Sequence, residues 1–169
     1  NSAKDCYEES LDTIKKMIDS LPEMENMLTA LHGKDKAVTM CRSMLESSIG
    51  DIVSSFQKFA AVVYTEQSGV DARVNDFQMV EKGSSLFQKA CGKGYDNWLS
   101  AKEMGTLNRY FQQRHLIEHN NAIVVQMYID KTTDTSYTAG QRLIVKNEDV
   151  LQFLSIVLKL GKGLLSIKS

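Results

Sequence analysis

The chain has 169 residues, 43% hydrophobic and 24% charged, a balance that excludes a disordered segment and fits one folded domain. Its formal net charge of -1 excludes a broad basic surface, so any contact with RNA has to come from a local site. No apolar run approaches the roughly 20 residues that span a bilayer, the longest being Phe59 to Tyr64, so no membrane contact is expected.

In chain order, Tyr7, Leu11, Ile14 and Ile18 recur at threes and fours and predict an amphipathic helix from about Ser2 to Ser20. Pro22 then predicts the first turn of a second helix, with Glu23 and Glu25 at its positive end and Met24, Met27, Leu28 and Leu31 on its apolar face. The longest helical stretch is expected from Lys34 to Gln67, with a bend or a close helix contact at Gly50. From Ser68 to Gly94 glycines interrupt the pattern, and only Ser84 to Ala90 reads as a short helix. Gly92-Lys93-Gly94 lacks the spacing of a phosphate loop.

Ser100 and Glu103 have capping-box spacing and open another helix. It carries Met104, Leu107, Tyr110, Phe111, Leu116 and Ile117 and is expected to continue past His119 toward Tyr128. Lys131 to Gly140 is a loop, Gln141 to Val145 a short extended piece, and Asn147 the N-cap of a last helix ending near Gly161. The methionines at helical spacing, Met17, Met24, Met27, Met40 and Met44, are core filler, and Trp98 anchors a helix start. Lys4, Lys15 and Lys16 make a solvated face, and Lys159, Lys162 and Lys168 a helix C-terminus. The sum is an all-α, up-and-down bundle of four to five main helices with a small irregular insertion.

Cys6, Cys41 and Cys91 lie far apart, which argues against a disulfide framework or zinc ribbon and fits half-buried thiols in a reducing, cytoplasmic setting. No charged, apolar and small-residue leader pattern opens the chain. Residues 1–169 are read as a single domain, and the start at Asn1 rather than Met is compatible with an excised domain or a trimmed chain and leaves room for an upstream domain.

The chemistry concentrates in Arg114-His115-Leu116-Ile117-Glu118-His119-Asn120-Asn121. With Arg114 at zero on a helix, Glu118 falls near about 40°, His115 near about 100° and His119 near about 140°. Four polar side chains thus share one arc, with Leu107 and Phe111 in line with it and Leu116 and Ile117 turned away. Phe111 and Leu107 beside charged groups predict that this face is covered by something.

Three readings compete. In the first, Arg114 and Glu118 form an i, i+4 pair and the histidines are solvated. In the second, His115, Glu118 and His119 spell H-x-x-E-H, an inverted zinc-hydrolase motif whose third ligand would be Glu148 or Asp149. In the third, metal-free phosphodiester cleavage uses histidine as proton donor or acceptor and arginine as the phosphate clamp. One chain supplies half of such a set, and a two-fold dimer would complete it.

Arg114-His115 followed by His119 resembles the R-x4-H signature of the HEPN superfamily, in which a polar residue directly follows the arginine. The Asn120-Asn121-Ala122-Ile123-Val124 run, the Tyr137 to Leu143 stretch and the helix from Asn147 are also similar to such domains, so the resemblance runs from about Leu86 to Leu160. It implies a helical bundle that dimerises through the motif helix and a metal-independent endoribonuclease without cofactor, in a toxin–antitoxin or anti-phage setting with a possible antitoxin partner. Arg114 would then contact the scissile phosphate, His119 would act as general acid or base, and His115 would support them. Asn120 and Glu118 are supporting candidates. Some members of the superfamily are non-catalytic interaction or nucleotide-binding modules, which gives the alternative function.

Overall fold

In the computed structural model, which describes residues 2–167, 79% of the chain is helical. Six α-helices and no strand occur among the described residues, the all-α architecture that the periodicity predicts. Lys168 lies outside the described residues.

Helix α1 (Ser2–His32) is longer than expected because Pro22 does not divide it. Proline has no N–H for the carbonyl of Ile18, which ordinarily opens or kinks a helix. Here the Asn147 side-chain amide donates to the Ile18 oxygen at 3.5 Å. Ile18, Leu21 and Leu28 are buried on both sides of the proline, so core packing carries the helix through. Met27 and Leu31, expected on the apolar face, are exposed instead.

Only Gly33 separates α1 from α2 (Lys34–Ser68), and its φ of 89° makes the reversal. The two helices run antiparallel, and Tyr7 near the start of α1 stacks on Phe59 near the end of α2 at 4.2 Å. Helix α2 is the centre of the bundle and packs against α1, α4 (Ala101–His119) and α6 (Asn147–Ser166). Helix α3 (Val80–Cys91) starts earlier than expected and includes Gly83, which lies under the Tyr95 hydroxyl.

Helix α6 also outruns its expected end at Gly161. A Cβ at Gly161 would stand 2.7 Å from the Tyr7 ring, and one at Gly163 would run into the Trp98 ring. These glycines admit aromatic rings against the helix rather than stopping it. At the other end Lys146, not Asn147, is the N-cap, and its N–H donates to the Asp149 carboxylate at 2.9 Å.

The Ser100–Glu103 box forms as expected, with Glu103 N–H on the Ser100 hydroxyl at 3.1 Å and Ser100 N–H on the Glu103 carboxylate at 2.9 Å. Helix α4 does not continue toward Tyr128. It ends at His119, and Asn121 and Ala122 take φ values of 52° and 60°. A left-handed alanine costs roughly 1–2 kcal/mol, offset here by two bonds: Ala122 N–H to Leu116 at 3.0 Å and Leu143 N–H to Ala122 at 2.7 Å. The chain then makes a single antiparallel bridge between Ile123 and Arg142, the irregular insertion of the sequence reading. Arg142 ties this insertion to α2 through Glu46 at 2.6 Å. Between the bridge partners lies the short helix α5 (Gln126–Thr132).

Candidate functional site

Helix α4 carries the Arg114 cluster, and its apolar arc explains the position of the arginine. Leu107 and Phe111 point into the core, where Phe111 packs edge-on against Phe56 and Phe153. The cover expected over this arc is thus the protein's own core. One turn later Arg114 follows the same arc inward and is only 9% exposed.

Glu118, one further turn on, meets Arg114 at 3.0 Å from Nη1 to Oε2. Its other oxygen would lie 3.5 Å from a Cβ at Gly50, an ordinary van der Waals distance, so α4 approaches α2 there without requiring the glycine. The Glu118 Oε2 is also 3.7 Å from the His119 Nε2. The rings of His115 and His119 are 4.8 Å apart, centre to centre, and both are open to solvent. What burial His115 has, with the positive charges of His119, Arg114 and Lys131, holds it below the ordinary histidine value, and Glu118 opposes the shift. The shift favours the uncharged form of this imidazole. Arg114, His115, Glu118 and His119 are all brought together at the end of α4.

Asn120 is placed differently. Its side-chain amide donates to the Ile123 carbonyl at 2.7 Å and secures the turn that ends α4. It orients the cluster only through the backbone.

The zinc reading finds no third ligand. Among the described residues no three His, Cys, Asp or Glu side chains converge on a point that could hold a metal ion. Asp149 is occupied at the start of α6, where it also lies 3.5 Å from the Tyr110 hydroxyl.

Beside the cluster is a cavity of about 150 Å³ that the sequence does not reveal. Arg114, His115 and Gln112 reach it from α4, and Met127, Tyr128 and Lys131 from α5. Gln78 and Met79, just ahead of α3, close the third side. Helix α5 is held over α4 by Asn108, which donates to the Lys131 carbonyl at 3.0 Å, and by Gln113, which donates to the Tyr128 hydroxyl at 3.1 Å. The Tyr128 hydroxyl in turn donates to Asp134 at 2.6 Å. A sequence signal for this wall existed in the Gln112-Gln113 pair, since two glutamines between Phe111 and Arg114 mark a buried polar contact. The α5 residues were hidden because that segment reads as a continuation of α4. Comparison with family models, with curated proteins and with solved structures finds no match to the chain.

Proposed function

We propose that the chain is a metal-independent endoribonuclease of the HEPN type, acting as a homodimer through α4. One observation carries this reading: a buried guanidinium and two neighbouring imidazoles stand together on one helix end. In the reaction His115 accepts the 2′-hydroxyl proton as the 2′-oxygen attacks phosphorus. The bond from phosphorus to the 5′-oxygen breaks, and His119 of the partner subunit donates a proton to that leaving oxygen. Arg114 balances the charge that gathers on the phosphoryl oxygens. The products are a 2′,3′-cyclic phosphate and a free 5′-hydroxyl.

Exposed Val125 and Met127 flank the cluster and supply apolar surface for a second copy to cover. No helix of the described residues is long and apolar enough to cross a membrane. The proposal places the protein in the cytoplasm, in a toxin–antitoxin or anti-phage setting, with an antitoxin protein able to cover the site.

A second reading, a non-catalytic nucleotide-binding module, is favoured by the Arg114–Glu118 pair, which already occupies the guanidinium. Incubation of RNA with the protein in EDTA decides between them. Wild type should cut, and Arg114→Ala and His119→Ala should each lose about 10²- to 10⁴-fold in rate. Binding without cutting by wild type selects the module, and equal cutting by both variants removes the assigned roles.

A further inference from the structure

Among the described residues, α5 packs against α4 and no other element, whereas every other helix meets at least two. Its apolar footing is a small cluster of Leu116, Val124 and Tyr128, with Ile129 beside them, separate from the main core. Its polar ties to α4 are the Asn108 amide on the Lys131 carbonyl and the Gln113 amide on the Tyr128 hydroxyl. Thr133, which ends the helix, takes a φ of 54°, a left-handed backbone that a β-branched residue adopts at a cost.

The segment is rooted firmly on both sides. Ala122 and Leu143 belong to the main core and are bonded to each other, and Val124 exchanges 2.8 Å bonds with Gln141 and Gly140. On the return, the Tyr137 hydroxyl bonds the carbonyl and the N–H of Ile144. Between these roots α5 is a flap with few holds. A segment with few apolar contacts and few polar ties opens at a fraction of the free energy of global unfolding.

The flap covers the chemistry. Val125, Met127, Tyr128 and Lys131 wall the same cavity that Arg114 and His115 line from α4. With that wall in place Arg114 is only 9% exposed, which leaves little of its guanidinium for a phosphate. We propose that α5 is a lid, rooted at Val124 and Tyr137, that swings off α4 as a unit and uncovers Arg114. The arrangement described above is its closed form, which excludes substrate. This deepens the RNA-cleaving reading and rests on it for the meaning of the opening, since there Arg114 must meet the scissile phosphate.

Amide hydrogen exchange, together with phenylglyoxal modification of each arginine read by mass spectrometry, tests the lid without RNA. All samples are held at one protein concentration. The amides of residues 130–133 should exchange at least about 100-fold faster than those of Ile52, Val53 and Phe56 in the core of α2. Low urea should hardly change the α5 amides but should speed those of α2, which need global unfolding. Arg114 should react at least about tenfold more slowly than the exposed Arg42. Asn108→Ala removes one tie and should speed α5 exchange and Arg114 modification by the same factor, about two- to tenfold. Tyr128→Phe, which removes the hydroxyl between Gln113 and Asp134, should again move both together.

Exchange in α5 as slow as in α2, or no response of α5 to either variant, overturns the lid. So does α5 exchange that quickens while Arg114 modification stays constant, or a wild-type Arg114 as reactive as Arg42. The two proposals fail separately. Parallel quickening in a protein that cuts no RNA keeps the lid and loses the nuclease, and cutting by a protein whose α5 opens only on global unfolding does the reverse.

Discussion

The carboxylate of Glu118 stands between the two groups that the chemistry needs, bonded to Arg114 and close to His119. It fixes the guanidinium but competes with phosphate for it, and it is the contribution that raises the His115 pKa. A histidine held below its unfolded value of about 6.5 has a definite sign. The unfolded chain takes up the proton first, so stability is full above that value and falls as the pH drops through it, until the folded ring is protonated too. Urea unfolding at pH 7.5 and 5.5 should show a smaller acid loss for His115→Gln than for wild type, and a larger one for Glu118→Gln. An identical acid loss in all three proteins would contradict the assigned environment of His115. The arc shared by Arg114, His115, Glu118 and His119 was legible in the sequence, because spacing within one helix fixes angles. That Arg114 turns inward was legible only through its alignment with Phe111 and Leu107. Gln78, Met79 and Lys131 were not legible as site residues, because they come from other elements whose approach to α4 no local pattern encodes.

Among the elements, α4 and α6 show which boundaries a sequence can carry. The start of α4 was readable because its cap is local, Ser100 bonding Glu103. Its end was not, since Asn121 and Ala122 adopt a backbone that favours glycine and are held there by Leu116 and Leu143. Pro22 and Gly161 both read as breaks, and both sit inside helices because distant partners, Asn147 and Tyr7, make use of what those residues lack. The same comparison separates two glycines on the bundle. Gly163→Ala would press a methyl into the Trp98 ring and should cost about 1–3 kcal/mol. Gly105→Ala, on an exposed turn of α4 with nothing within 4 Å, should stabilise by about 1 kcal/mol. Thermal unfolding of the two variants checks both signs. A Gly163→Ala protein as stable as wild type would mean that Trp98 does not pack against α6 as described.

For the whole molecule, a bundle built on α1, α2, α4 and α6 exposes the end of α4 with its ionisable cluster and leaves α5 to wall one side. The net charge of -1 gives no general attraction for RNA, so the proposed nuclease depends on what two copies assemble locally. Each chain offers one Arg114 and one His119, and Met79, Val125 and Met127 supply exposed apolar surface around them. The most direct test is the RNA cleavage rate per chain in EDTA across a range of protein concentrations, with light scattering on the same samples and His119→Ala as control. The account expects the rate per chain to rise with the dimer fraction and level off when dimerisation is complete. The products should carry 2′,3′-cyclic phosphate ends, and His119→Ala should be slower by at least about 100-fold at every concentration. No cleavage at any concentration, or a rate that ignores both the dimer fraction and His119, would contradict it.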